Sequence, residues 1–181
     1  MKKEGTKKEN HSGWPLLNRI LSAYIKLTKF PELTQHPEIG KNYEYHPEGT
    51  LCGNSTPYHG CIRLGNVNKL MIGFSGGGVS VNAYTAARPQ RIGGNGEMFY
   101  SDGVRFGDII PRVGTFGKGK KNPFRDWTLL FVPYATGDFH CGTGDFKYKD
   151  LNGKDAVLHH HGYTNYRKLI EKIKEFVPHP D

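Results

Sequence analysis

Between Lys69 and Ser80 an apolar run, Leu70-Met71-Ile72-Gly73-Phe74, passes through Ser75 and breaks into Gly76-Gly77-Gly78 before the chain resumes at Val79. A short apolar run bounded by turn formers is the pattern of a central strand covered on both faces. Three adjacent glycines at its end leave a loop whose backbone a second group can approach closely. The chain is thereby constrained to a sheet that presents open backbone at a strand end. Two chemistries fit. Gly73-Phe74-Ser75-Gly76-Gly77 matches the G-x-S-x-G turn that presents a nucleophilic serine, and the three glycines equally supply N–H groups for an oxyanion hole.

The flanking sequence gives the stretch its order. His59 to Leu64 and Lys69 to Phe74 are strand-like runs separated by Gly65-Asn66-Val67-Asn68, a turn composition that predicts a hairpin. Val79 to Ala87 is expected to start a helix closed by Arg88-Pro89, since proline cannot continue one. The glycine-rich stretch 90–124 reads as a long surface excursion. Asp126 to Tyr134 is a second buried strand, and Ala156 to His161 a shorter strand candidate. The last helix has Thr164 as its cap, and Tyr166, Leu169, Ile170, Ile173 and Phe176 on one face at helical spacing. Before all of these, Pro31 to Thr56 is rich in Pro, Gly, Asn, His and Glu and is expected to be irregular.

Residues 1–12 read as a disordered basic head, and 13–30 as an amphipathic helix carrying Trp14, Leu17, Leu21, Tyr24 and Ile25 on one face. Residues 1–29 hold seven basic side chains against two acidic ones, which is five of the net +8, so the body of the protein is close to neutral. The second basic cluster, Lys118, Lys120, Lys121 and Arg125, lies among glycines and a proline without interleaved aromatics, which argues against a nucleic-acid partner. Mean hydropathy is −0.61 and no run is long and apolar enough to span a bilayer. The basic head is not followed by an uninterrupted apolar segment of the secretory kind. Cys52, Cys61 and Cys141 are an odd number without CxxC spacing, which gives neither a disulfide framework nor a zinc signature. A cytoplasmic location is the expectation.

An antiparallel hairpin, a buried strand running into three glycines, a helix, a buried strand and a closing helix is the order of the first half of an α/β-hydrolase. In that fold the glycine loop after the third strand donates oxyanion N–H groups, and the serine elbow follows later strands. The ordering favours the glycines over Ser75. Ser75 stays open as a nucleophile, because Asp126, Asp138, Asp145 and then His159, His160 and His161 lie downstream in the Ser, Asp, His order that hydrolases use. Residues 31–181 are thus expected to form an α/β-hydrolase-like three-layer sandwich, as the N-terminal half of the fold.

Four motifs in order, Leu51 to Tyr58, Lys69 to Gly78, Phe131 to His140, and His161 to Asn165, resemble the bacterial pectin acetylesterase-like proteins, relatives of Notum, over residues 37 to 176. The resemblance implies a serine carboxylesterase acting through an acyl-enzyme on a small-molecule or saccharide ester. It places Gly76, Gly77 and Gly78 in the oxyanion hole. It implies a nucleophile elbow, with its Asp and His, at positions this sequence does not contain, so that a missing C-terminal half or a partner chain completes the site. Ala135 stands where the family commonly has a cysteine before Thr-Gly-Asp, and Ser80 near where another often follows the glycines. Two further readings stay open: a compact serine hydrolase using Ser75, and a non-catalytic binding or interaction module.

On a strand, His159 and His161 point to one face, a spacing that suits a metal, and His140-Cys141 could join them. No carboxylate or third ligand is fixed by spacing, so the sequence assigns no metal and no cofactor.

Overall fold

The computed structural model of the chain describes residues 29–90, 96–104 and 110–181. The expected head over 1–12, and the expected helix over 13–30 as far as residue 28, lie outside the described residues.

The most apolar segment takes the centre. Strand β4 (Thr128–Val132) has all five residues buried, and its side chains alternate between two cores. Leu129 and Phe131 pack with Phe30 and Cys61 on one face. Leu130 and Val132 pack with Cys52, Tyr58, Ile62, Leu169 and Ile173 on the other. Around β4 lie β1 (Tyr43–Tyr45), β2 (Gly60–Arg63) and β3 (Leu70–Phe74), in the sheet order β1-β2-β4-β3. β2 runs antiparallel to both β1 and β4, whereas β3 is parallel to β4.

The hairpin expected between the runs 59–64 and 69–74 is therefore not formed, because β4 inserts between β2 and β3. Residues 65–68 wrap the start of β4 instead. Gly65 N–H donates to Thr128 Oγ1 at 3.0 Å and Asn66 N–H to the Asp126 carbonyl at 3.0 Å. A Cβ on Gly65 would lie 2.2 Å from the Asp126 oxygen. β3 is consequently an edge strand rather than a covered central one, with Ile72 40% and Phe74 48% exposed.

Helix α1 (Ala83–Ala86) is a single turn, capped by Asn82, whose side chain accepts from Thr85 N–H. The longer helix expected over 79–87 fails for lack of an apolar stripe: Val81 and Tyr84 face outward. Helix α2 (Gly162–Lys174) lays Leu169 and Ile173 on the sheet. It packs closely over β2 because residue 60 is glycine, where a Cβ would sit 2.5 Å from Leu169 Cδ1. Before α2, β5 (Gly144–Lys149) and β6 (Asp155–His160) form a separate antiparallel hairpin. Its inner side chains Phe146, Tyr148 and Leu158 pack with Tyr100 and Ala86.

The three-layer α/β sandwich is thus corrected. Among the described residues the fold is mixed but mostly β: one four-stranded mixed sheet, a two-stranded hairpin and two helices, of which only α2 covers a sheet face. The opposite face is closed by Phe30 and by two single 3-10 turns, Ile110–Arg112 and Gly114–Phe116, whose Ile110 and Phe116 take the place of an α-helical layer. No helix among the described residues is long and apolar enough to cross a membrane.

Candidate functional site

β3 and β4 end together, with Phe74 opposite Val132, and the chain leaving each of them builds the first candidate site. Ser75 N–H donates to the Val132 carbonyl at 3.1 Å, and Ser75 Oγ accepts from Tyr134 N–H at 2.7 Å. The glycines are then held from the other side, where Ser101 N–H donates to the Gly77 carbonyl and Val79 N–H to the Phe99 carbonyl, at 2.7 and 2.9 Å. Side chains do not fit at Gly77 or Gly78, whereas Gly76 stands in open space. A Cβ on Gly77 would meet Tyr134 Cδ1 at 2.4 Å, and one on Gly78, whose φ is +79°, would meet the Phe99 oxygen at 1.8 Å. In this pinned loop the N–H groups of Gly76, Gly77 and Gly78 donate to no acceptor among the described residues. Three successive donors without a partner among the described residues, beside exposed chain, are the kind of group that an oxyanion site uses.

His140 borders the loop. Its Nε2–H donates to the Ser75 carbonyl at 3.1 Å, which leaves Nδ1 as the lone-pair nitrogen. The ring is edge-on to Phe74 and Tyr134, at 5.0 and 4.9 Å between centroids. Burial pushes the imidazole pKa below its ordinary value, more than the Ser75 carbonyl and Asp138 raise it, so the ring is held neutral near pH 7. His140 and Phe139 both sit in left-handed backbone, at φ 61° and 55°, a conformation that needs outside support in non-glycine residues.

Asp138 supplies that support. Its Oδ1 accepts from Thr136 Oγ1 at 2.7 Å and His140 N–H at 3.0 Å, and its Oδ2 from Gly142 N–H at 3.1 Å and Gly162 N–H at 2.8 Å. The last bond caps α2 from a distance, because the N-cap is His161 rather than the expected Thr164, which lies inside the helix, and the His161 side chain makes no capping bond. Asp138 is therefore a structural hub, committed to holding His140 rather than presented to a substrate.

The second cluster lies on the β5–β6 hairpin. Asp145 stands directly opposite His159, and its Oδ1 accepts from His159 Nδ1–H at 2.6 Å and from His161 Nε2–H at 3.1 Å. Hydrogen bonding from His159 holds the Asp145 carboxyl below its usual range. On the far side of the ring, Ser55 Oγ lies 2.9 Å from His159 Nε2, and Ser55 itself is in left-handed backbone at φ 66°. His160 points the other way, donating Nδ1–H to the Thr136 carbonyl at 2.8 Å.

In a third cluster the buried Glu44 accepts from Lys29 at 3.3 Å and His46 at 3.1 Å, with His59 Nε2 at 3.9 Å. Burial pushes the His59 imidazole down, more than Glu44 raises it. Cys52 and Cys61 are buried apolar groups and Cys141 is exposed.

The residues proposed from sequence are thus divided. Gly76 to Gly78 form one donor loop. Ser75 sits beside them, but its Oγ is engaged by backbone and bonded to no imidazole among the described residues. Asp126 lies at the opposite end of β4, near Gly65 and Asn66. Asp145 and His159 are joined, but to Ser55 and not to Ser75. Ser55 was not singled out by any sequence signal; its partnership with His159 crosses 104 residues. In comparisons with known proteins, no family model matches the chain and no curated sequence does, so the resemblance to pectin acetylesterases and Notum rests on its four motifs alone.

Proposed function

We propose that this chain is part of a serine carboxylesterase of the pectin acetylesterase and Notum type, and that Gly76, Gly77 and Gly78 supply its oxyanion-hole donors during hydrolysis of a small-molecule or saccharide ester. The observation that carries the reading is the row of three unsatisfied N–H groups in a loop pinned on both sides by Ser101, Val79 and Tyr134. A donor that is already oriented needs no reorganisation when charge develops on the ester oxygen, and one such donor contributes about 3 to 4 kcal/mol to the barrier. The His140 ring donates to the Ser75 carbonyl that precedes the loop and so helps to fix it. The reading assigns no nucleophile among the described residues, since Ser75 Oγ is engaged by the Tyr134 N–H.

A second reading, a non-catalytic interaction module, is favoured by the open edge of β3, where Ile72 and Phe74 are exposed and one side of the strand is unpaired in the described sheet. Reactivity tests the oxyanion-loop reading against a compact hydrolase that uses Ser75. The chain is incubated with p-nitrophenyl acetate and a fluorophosphonate. The oxyanion-loop reading expects no turnover that depends on Ser75 and no adduct there; turnover abolished by Ser75→Ala, or a Ser75 adduct by intact mass, would sink it.

A further inference from the structure

We propose that Asp145, His159 and His161 form a binding site for a divalent cation of the zinc or cobalt(II) class on the outer face of the β5–β6 hairpin. The register makes the site. Asp145 and His159 are a directly opposed antiparallel pair, and His161 follows His159 by two residues along the chain, so all three point to one face while His160 points to the other. One ligand atom from each of Asp145, His159 and His161 lies within 4.8 Å of the others. Four-coordinate zinc with bonds of about 2.0 to 2.1 Å holds its ligand atoms about 3.3 Å apart. The observed separations from Asp145 Oδ1, 2.6 and 3.1 Å, lie close to that value. Two imidazoles and one carboxylate suit a borderline cation rather than calcium or magnesium, and leave a fourth position for water.

The surroundings fit as well. A metal-bound histidine is oriented through its other ring nitrogen, and here Ser55 Oγ sits 2.9 Å from His159 Nε2. The same contacts describe a Ser–His–Asp line, but the donors such a serine needs are spent. Ser55 N–H is bonded to the Cys52 carbonyl and Thr56 N–H to Asn54 Oδ1, each at 3.1 Å. A second imidazole on the same carboxylate oxygen also has no part in a serine relay, whereas it is the third ligand of a metal site. The Glu44, His46 and His59 cluster is the weaker candidate, since Lys29 already places a cation 3.3 Å from Glu44 Oε2.

The test titrates the full, untagged chain with Zn²⁺ by calorimetry and with Co²⁺ by visible absorption, with circular dichroism to verify folding. One ion per chain and a tetrahedral Co²⁺ spectrum are expected. Asp145→Asn and His161→Ala each weaken binding by about tenfold or more, Ser55→Ala by about tenfold through the outer contact, and His46→Ala leaves it unchanged. Wild-type affinity in folded Asp145→Asn, which would mean chelation by a surface histidine pair only, overturns the site. So does the absence of a tetrahedral Co²⁺ spectrum, or a fluorophosphonate adduct on Ser55 that His159→Ala removes.

Discussion

Replacing Asp138 by alanine removes the carboxylate on which the end of β4, the His140 turn and the start of α2 converge. Four donors lose their acceptor at once: Thr136 Oγ1 and the N–H groups of His140, Gly142 and Gly162. The carboxylate packs directly on this backbone, so that Cβ atoms on Gly142 and Gly162 would lie 2.5 and 2.4 Å from its oxygens. A hydrogen bond to a charged group contributes about 1.5 to 3 kcal/mol. Four bonds sharing one half-buried acceptor are not additive, and the loss is set at about 3 to 5 kcal/mol, including the uncapped end of α2. For a domain of this size that lowers the melting temperature by roughly 10 °C. Asp138→Asn keeps one acceptor but turns an amide toward two N–H groups, and is expected to cost about two thirds as much on the same scale. Urea denaturation followed by circular dichroism measures the loss, and amide exchange locates it, with His140, Gly142 and Gly162 deprotected first. A change below about 1 kcal/mol, or unaltered exchange at those three amides, would refute the hub.

Gly78→Ala should unfold the glycine loop or the whole domain, since the added Cβ would lie 1.8 Å from the Phe99 oxygen at φ +79°; a loss of at least about 2 kcal/mol in denaturation is expected, and a neutral effect would contradict the pinned geometry. Leu169→Ala should cost about 2 to 5 kcal/mol, because the side chain is fully buried against the sheet; a smaller loss would mean that α2 is not seated as described. Acidification should destabilise the fold through His140. Its folded pKa lies below the ordinary value of about 6.5, so between the two values the unfolded chain binds more protons and stability rises with pH. The stability is present above about pH 6.5 and is lost as pH falls through that value toward the folded pKa. An NMR titration placing His140 at about 6.5 would abolish the effect, and one placing it above would reverse the sign.

What could be read in the sequence was local. The unbroken apolar run of β4, the stripe of α2 and the strand at Asp155–His160 all appear where pattern places them, because each is decided by its own residues. The pairing of β3 was not local. Its apolar run and the turn formers before it suit a hairpin with β2, but β4 competes for the same edge of β2 and wins by burying all five side chains. The helical layer failed for a related reason: residues 79–87 contain helix formers without an apolar face, so α1 stops after one turn. β5 alternates as a strand does, Phe146 and Tyr148 with Asp145, Lys147 and Lys149, but alternation does not say what it pairs with. The third member of the histidine cluster depends on that pairing, since Asp145 reaches His159 through the β5–β6 register. Asp138 was legible as a carboxylate near the site, but its part in capping α2, 24 residues away, depends on tertiary contact.

The central claim is that Gly76, Gly77 and Gly78 present donors ready for a developing oxyanion, and amide chemical shifts read those donors directly. Uniformly ¹⁵N-labelled chain is titrated with methylphosphonate, a tetrahedral oxyanion, at constant ionic strength and pH. The account predicts saturable downfield shifts of the Gly76, Gly77 and Gly78 N–H protons, with smaller changes at Ser75 and His140. Shifts confined to the basic side chains, with the three glycine amides unmoved at saturation, would contradict it.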